Sequence, residues 1–338
     1  MRSGEQMAPL KVAIIGAGNT GIYHAAAYRQ IPEVQIKYIY SRNPERARSL
    51  ADQVGAQVVD RWEMAMEDPS IDIVNLCLPT YTRLETIQKA VAEGKHIFCE
   101  KPLALNGEMS CKIYGLLMEY KKKFMVGQVL RFFWEYAQMR QMVLSGEVGD
   151  VGTIRLSRCV GFPGSWFANR DQSGGVILDL LIHDIDFLLW TFGDVERVYA
   201  KGLTYRDGLD MDYALLNIKL KSGAIAHIEG SWAHPAGSFH TTVEIAGSKG
   251  LISYDNLSSK HIELSIKKKG ATETGPRVSM PEIEPADDPF VLQLRDFVES
   301  IREDREPSVT YKEALAACAV AFMALRSLQT GQPASSSA

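Results

Sequence analysis

The sequence predicts an α/β protein of two domains: a Rossmann domain with a doubly wound parallel sheet, then an α+β domain with a large open, mostly antiparallel sheet. Three observations predict it. Up to about Gly127 short apolar runs alternate with segments of helical period, the pattern of successive βαβ units. Beyond Gly127 the period falls to two, as in antiparallel strands with one covered face. The chain has 338 residues, too many for one average domain and enough for each of two to bury a core.

The runs expected as parallel strands are Val12 to Ile15, Val34 to Tyr40, Ile71 to Leu78, His96 to Cys99 and Phe124 to Val126, and five or six such strands complete the sheet. Between the second and third, Pro44 to Val54 places Ala47, Leu50, Ala51 and Val54 on one face of a helix. In the second half, Phe239, Thr241, Val243 and Ile245 alternate with His240, Thr242 and Glu244, and Ile262, Leu264 and Ile266 alternate with Glu263 and Ser265. The stretch from Lys267 to Asp288, with KKKG, two Pro-bounded acidic clusters and little apolar content, reads as a surface loop. Two helices follow. Asp288 to Arg302 is amphipathic through Phe290, Leu294, Phe297, Val298 and Ile301; Tyr311 to Leu328 is apolar almost all round and is expected to pack between the domains. The expected division is 1–128 for the Rossmann domain, 129–330 for substrate binding and oligomerisation, and 331–338, GQPASSSA, as a tail.

Lys and Arg number 37 against 41 for Asp and Glu, a formal charge of −4 that offers no basic surface to nucleic acid or an anionic membrane. The first ten residues lack the apolar core of a signal peptide and no later run reaches the length of a bilayer span, so a cytoplasmic protein is expected. The five cysteines, Cys77, Cys99, Cys111, Cys159 and Cys318, are scattered without a CxxC pair; they read as buried reduced thiols, and no metal is expected.

GAGNTG, Gly16 to Gly21, stands where the first strand ends and a helix begins. Gly16 permits the tight turn, Gly18 lets a pyrophosphate approach the backbone, and Gly21 lets the helix pack on the strand, while N–H groups around Asn19 and Thr20 face the phosphates. Twenty residues after Gly21, where an acid would hold the adenosine ribose, come Ser41 and Arg42. A hydroxyl followed by a guanidinium suits a 2′-phosphate, so the cofactor expected is NAD(P), with NADP favoured over NAD. A solvated loop arginine is the competing reading of Arg42.

At the carboxyl end of another strand stands Glu100-Lys101-Pro102, where open α/β sheets bind ligands. The proline is a candidate for a cis bond; a surface lysine in a turn is the alternative for Lys101. Further on, GGVILDLLIHDID spans Gly174 to Asp186. As a helix it puts Asp179 and His183 at i and i+4 on one face, where a carboxylate orients an imidazole. A purely structural histidine is the alternative.

GAGNTG, CEKPLA at 99–104 and SGGVILDLLIHDIDFLLW at 173–190, in this order, resemble the glucose–fructose oxidoreductase/inositol dehydrogenase/MocA (Gfo/Idh/MocA) family of NAD(P)-dependent oxidoreductases over nearly the whole chain. The resemblance implies an active set of Lys101, Asp179 and His183, and an open C-terminal sheet used for subunit contact, hence a homodimer or homotetramer. It also implies cofactor contacts around Leu78, Pro79, Thr80 and Glu100. One departure is visible: family members often carry a histidine four residues after the proline at 79, and this chain has Arg83.

The chemistry expected is oxidation of a secondary alcohol of a sugar or polyol. Neutral His183 takes the hydroxyl proton, Asp179 steadies the imidazolium, and Lys101 stabilises the developing alkoxide. Substrate selection is expected from Arg131 and the loop carrying Trp166, Phe167, Asn169 and Arg170; Trp166 is equally readable as a platform for a sugar ring or as core. An NAD-dependent glycosidase of the same family and a noncatalytic nucleotide-sensing protein are the alternatives. A methyltransferase is disfavoured because it has no use for EKP.

Overall fold

The computed structural model describes residues 8–205, 211–258, 262–266, 277–279 and 288–336. It divides into two compact units, the first containing residues up to 104, 108–129 and 286–315, the second 105–107, 130–285 and 316–338.

The first unit holds a six-stranded sheet: β1 Leu10–Ile15, β2 Val34–Tyr40, β3 Gln57–Val58, β4 Ile73–Leu76, β5 His96–Glu100 and β6 Phe124–Gly127. All pairs are parallel and the spatial order is β3-β2-β1-β4-β5-β6, so the order reverses beside β1 and a ligand crevice opens at the strands' carboxyl ends. Val12 to Ile15, Ile73, Val74, Leu76, Ile97, Phe98 and Val126 are fully buried, which is why these runs lack the polar alternation of a half-exposed strand. Helices α1 Asn19–Tyr28, α2 Pro44–Val54, α3 Trp62–Glu67, α4 Arg83–Ala92 and α5 Gly107–Leu117 connect the strands. The α2 start is fixed by Asn43, whose Oδ1 accepts from Glu45 and Arg46 N–H, and its end by Gly55 at φ 71°. β3 escapes sequence reading because its two residues are exposed and too short to show a period.

The second unit contains α6 Trp134–Leu144, β7 Val151–Gly161, α7 Arg170–Ser173, α8 Ile182–Phe192, β8 Val195–Leu203, β9 Tyr213–Leu220, β10 Ile225–His234, β11 Phe239–Gly247, β12 Gly250–Asp255, β13 Ile262–Ile266, β14 Arg277–Ser279 and, near the end, β15 Ala334–Ser335. Nine strands form one sheet in the order β14-β13-β12-β11-β7-β10-β9-β8-β15, antiparallel except for β7 against β10. Ala214, Leu216, Ile218 and Leu220 are fully buried on one face, while Tyr213, Leu215, Asn217 and Lys219 are half-buried on the other.

Three expectations need correction. Arg277–Ser279, inside the stretch read as a loop, pairs antiparallel with β13; the rest of that stretch before Asp288 lies outside the described residues. The tail is not free of structure: Ala334 pairs with Val198 and is buried, so backbone hydrogen bonding at a sheet edge orders a segment whose composition carries no strand signal. The helix expected at 288–302, here α9 Pro289–Arg302, packs within the first unit, where Phe297 meets Phe98 at 5.6 Å and Phe290 meets Tyr23 at 5.5 Å. The last helix, α10 Tyr311–Thr330, is assigned to the first unit up to Leu315 and to the second beyond it.

Candidate active site

Gly16 ends β1 at φ +119°, and a Cβ there would lie 2.3 Å from the Cys77 carbonyl oxygen; at Gly21 it would lie 1.9 Å from the Gly16 carbonyl oxygen. The protein's own backbone demands both glycines. Gly18 differs, because its φ of −82° suits any residue and a Cβ would meet nothing within 4 Å. Among the described residues no neighbour requires glycine at 18, whereas a pyrophosphate seated on this loop would. α1 opens at Asn19 without a side-chain cap, which leaves its first N–H groups for phosphate oxygens. Thr80 Oγ1 and Gln128 Oε1, beyond β4 and β6, are buried oxygens without a hydrogen-bond partner among the described residues, and such atoms are costly unless a ligand meets them. These residues fit a bound dinucleotide.

At the expected adenosine position, Ser41 Oγ accepts from Asn43 N–H, and exposed Arg42 donates from Nη1 to Tyr81 Oη at 2.9 Å. Arg42 lines an open recess with Asn43, Pro44, Glu45 and Arg48. Tyr81 and Arg48 carry no motif by which sequence alone would place them here.

The Lys101–Pro102 peptide is cis. From Ile97 to Ala104 every residue except Lys101 is buried. Glu100 turns inward: one carboxylate oxygen accepts from Lys101 N–H at 3.2 Å and the other lies 3.1 Å from His24 Nε2. A Cβ at Gly127 would come within 2.5 Å of that carboxylate, so glycine there leaves room for the inward-turned Glu100 side chain. Arg83 is buried, donating from Nε to the Leu78 carbonyl at 3.0 Å and from Nη1 to the Pro102 carbonyl. The departure from the family pattern therefore has a definite place: it ties the loop after β4 to the loop after β5.

His24 lies on the inner face of α1, and the one sequence signal for it is its three-residue offset from Gly21, which puts it over the sheet. It is fully buried, with Nδ1 3.0 Å from the Asn75 amide and 3.4 Å from Cys77 Sγ. Burial opposes charge on it, but Cys77 and Glu100 beside it hold its pKa well above the usual histidine value. Burial likewise opposes the Glu100 charge, and His24, Lys101 and Arg83 together still hold that carboxyl below its usual value. His24 Nε2 and the Glu100 carboxylate therefore meet in a buried contact between α1 and the end of β5. Cys77 is half-buried and Cys111 exposed, which corrects the expectation of five buried thiols; all five are unbridged.

In the second unit the single helix expected after Gly174-Gly175 is a π turn followed by a separate α-helix. Val176–Leu180 is a π-helical turn, in which Leu181 N–H reaches back five residues to the Val176 carbonyl at 3.0 Å, and α8 starts at Ile182. Gly174 and Gly175, at φ +80° and +70°, supply the entry. Asp179 lies in the wide turn and is 7% exposed; His183 lies in the first turn of α8. From Ser173 to Leu188 every residue is buried except His183.

Arg131, expected on the substrate, is buried and spends its fork on Asp186, with Nε donating at 2.8 Å and Nη2 at 2.7 Å. Its inward position in the turn before α6 is the reason, and no periodicity reveals it. Trp166 is half-buried, with one ring face stacked on Phe167 at 4.2 Å, and Phe167 meets Trp232 edge-on. Asn169 caps α7 by accepting from Asp171 N–H at 2.9 Å. Among the described residues no cluster of His, Cys, Asp and Glu has the arrangement of a metal site, and no helix is long and apolar enough to cross a membrane.

Residues 10–128 match the model of an oxidoreductase family with an NAD-binding Rossmann fold, and residues 136–253 match that of a GFO/IDH/MocA C-terminal domain. The chain is 28% identical over 331 residues to a myo-inositol 2-dehydrogenase of Thermotoga maritima, covering 95% of this chain and 96% of that one. It is 29% identical over 336 residues to a scyllo-inositol 2-dehydrogenase (NAD(+)) of Bacillus subtilis, covering 96% and 95% respectively. Among solved structures, a levoglucosan dehydrogenase in complex with NADH superposes with a TM-score of 0.88 at 23% identity, over 97% of this chain and 99% of that one.

Proposed function

This chain belongs to the Gfo/Idh/MocA family of oxidoreductases, with an NAD-binding Rossmann domain, and from that premise we propose that it oxidises a secondary hydroxyl of a sugar or cyclitol through Lys101, Asp179 and His183. One observation carries the assignment of these groups. In each of two buried runs, 97–104 and 173–188, a single residue reaches the surface, and these residues are Lys101 and His183. Burial of a whole neighbourhood around one lysine and one histidine is expensive to arrange and fixes where each is presented.

His183 takes the hydroxyl proton, and Asp179 holds the imidazole and balances its charge. Lys101 stabilises the alkoxide oxygen as charge develops on it. Glu100 and Arg83 hold the loop that presents Lys101. Bound nicotinamide supplies the hydride acceptor. The half-buried ring of Trp166 offers its unstacked face to the C–H face of a polyol. The inositol dehydrogenases among the relatives support a cyclitol as the first compound to try. Following the absorbance of reduced cofactor over a panel of cyclitols, hexoses, keto sugars and nucleotide sugars, with NAD and NADP in parallel, tests the reading. Turnover is expected with a cyclitol or hexose; a panel without any turnover rejects it.

Our reading favours NADP over NAD. Arg42 and Arg48 line one recess beside Ser41, and Tyr81 holds Arg42 in place, against a single Glu45. A close Arg–phosphate pair contributes about 1.5–3 kcal/mol, so Arg42→Ala should weaken NADP roughly ten- to a hundredfold and leave NAD nearly unchanged. Titrating both cofactors into both proteins checks this; equal losses remove the 2′-phosphate role.

A homodimer or homotetramer through the nine-stranded sheet is part of the same reading. Leu215, Ile225 and Tyr213 stand on its less buried face, with Ile225 47% exposed. That face also carries paired polar groups, His227 with Asn217 and Arg155 with Glu244, so it is amphipathic, as recognition surfaces between subunits are. Light scattering at micromolar concentration should give a dimer or tetramer mass, and a monomer mass overturns the assembly. The unbridged thiols support a reducing, cytoplasmic setting.

A further inference from the structure

His183 is flanked on α8 by two aspartates, Asp184 and Asp186, each 1% exposed and each gripped by an arginine fork. Arg158, from β7, donates to Asp184 from Nε at 2.7 Å and from Nη2 at 2.9 Å. Arg131, from the turn before α6, donates to Asp186 from Nε at 2.8 Å and from Nη2 at 2.7 Å. All four side chains are buried. An α-helix advances about 100° per residue, so the two aspartates leave α8 on nearly opposite sides, about 200° apart, and His183 projects from the arc between them.

Two buried ion pairs are a poor way to gain stability, since the desolvation of four charges consumes most of the attraction and apolar residues of similar volume do as well. A bidentate fork does something apolar packing does not: it fixes both the distance and the plane of its partner. The need for that lies one turn upstream. The π turn ending at Leu180 breaks the regular rotation of the helix, so the register of the segment carrying Asp179 does not by itself dictate the rotation of α8. Further contacts hold each of the two arginines: Arg158 donates to Tyr136 Oη at 3.1 Å, with Tyr136 edge-on to Phe187 at 5.0 Å, and the Arg131 guanidinium lies over the Trp190 ring, 5.5 Å from its centroid.

We propose that Arg158–Asp184 and Arg131–Asp186 form a two-sided clamp on the first turn of α8, and that these four residues are positioning residues for the His183 imidazole. The inference rests on His183 being the proton acceptor. The clamp sets the rotation of α8, and the helix in turn aims the ring.

The test removes one pair as a unit in the full-length protein, Arg158→Met with Asp184→Leu, which takes away both charges while keeping volume. The double variant should fold, with a melting temperature near wild type and an unchanged cofactor Kd. With the polyol that the panel identifies, kcat should fall about ten- to a hundredfold, the scale of a catalytic group displaced by about an ångström, with KM changed less than about twofold. With ¹⁵N-histidine labelling, the His183 ring resonance, identified by its loss in His183→Asn, should shift while those of His24, His96 and His227 stay. Wild-type kcat together with an unmoved His183 resonance in a folded double variant overturns the clamp. If the double variant does not fold, Arg158→Lys decides instead: it keeps the charge and loses the fork, and wild-type kcat with an unmoved resonance again overturns the proposal. A fully active His183→Ala enzyme refutes the proton-acceptor assignment, and the ring resonance still decides whether the clamp positions the imidazole.

Discussion

His183→Ala should fold, bind cofactor with unchanged affinity and lose turnover by about 10² to 10⁴, the contribution of a positioned general base. The partial exposure of His183 within a fully buried run supports the first part of that statement, because removing a side chain that reaches solvent leaves the core intact. Lys101→Ala should cost about 10² to 10³, the usual loss when one donor to a developing oxyanion is removed, and should leave the Glu100 carboxylate in place, since the bond that holds it next door comes from the Lys101 backbone. Asp179→Asn keeps the shape and removes the charge that balances the imidazolium, so turnover should fall without loss of fold. Stopped turnover accompanied by a lower melting temperature in all three would assign these residues to structure. A purified His183→Ala protein that turns over at the wild-type rate removes the proton-transfer role.

Gly18→Val should sharply weaken cofactor binding and leave the apoprotein as stable as wild type. Gly18 has extended backbone angles that valine prefers, and its Cβ direction is open, so the substitution strains nothing in the chain. The branched side chain would occupy the approach to the loop. A loss of about a hundredfold or more in affinity, about 2.8 kcal/mol, is expected by calorimetry. Gly16→Ala and Gly21→Ala should behave in the opposite manner, because their Cβ atoms meet backbone oxygen at 2.3 and 1.9 Å and the loop must shift. Those two should lower the melting temperature through overpacking of at least about 1–3 kcal/mol. A Gly18→Val protein that binds cofactor normally would mean that the pyrophosphate does not sit on this loop.

How much of this was legible in the sequence follows the range of the interactions involved. The β1–Gly16–α1 segment could be read because turn, glycine spacing and helix start are local, and β1, β4, β5 and β6 because burial on both faces writes itself as a nearly continuous apolar run. The Lys101 and His183 motifs were legible as spacing. The partners that hold them were not: Glu100 meets His24 across 76 positions of chain, Arg83 meets Pro102 across 19, and Arg158 meets Asp184 across 26. Arginine at 131 looked like a ligand for substrate because a charged side chain in an apolar context signals function, and a buried counter-charge far along the chain gives the same signal. The π turn left no trace either, because the i and i+4 spacing of Asp179 and His183 fits a continuous helix equally well. β15 was invisible because a strand added at a sheet edge needs backbone alone.

The central claim is net hydride transfer from a polyol carbinol carbon, and it is tested most directly with the active polyol deuterated at its carbinol carbons. Incubated with oxidised cofactor, the protein should release a ketone and reduced cofactor in equal amounts, with one deuterium in each reduced nicotinamide by mass spectrometry. Cleavage of a glycosidic substrate with no reduced cofactor accumulating, or reduced cofactor free of deuterium, would contradict it.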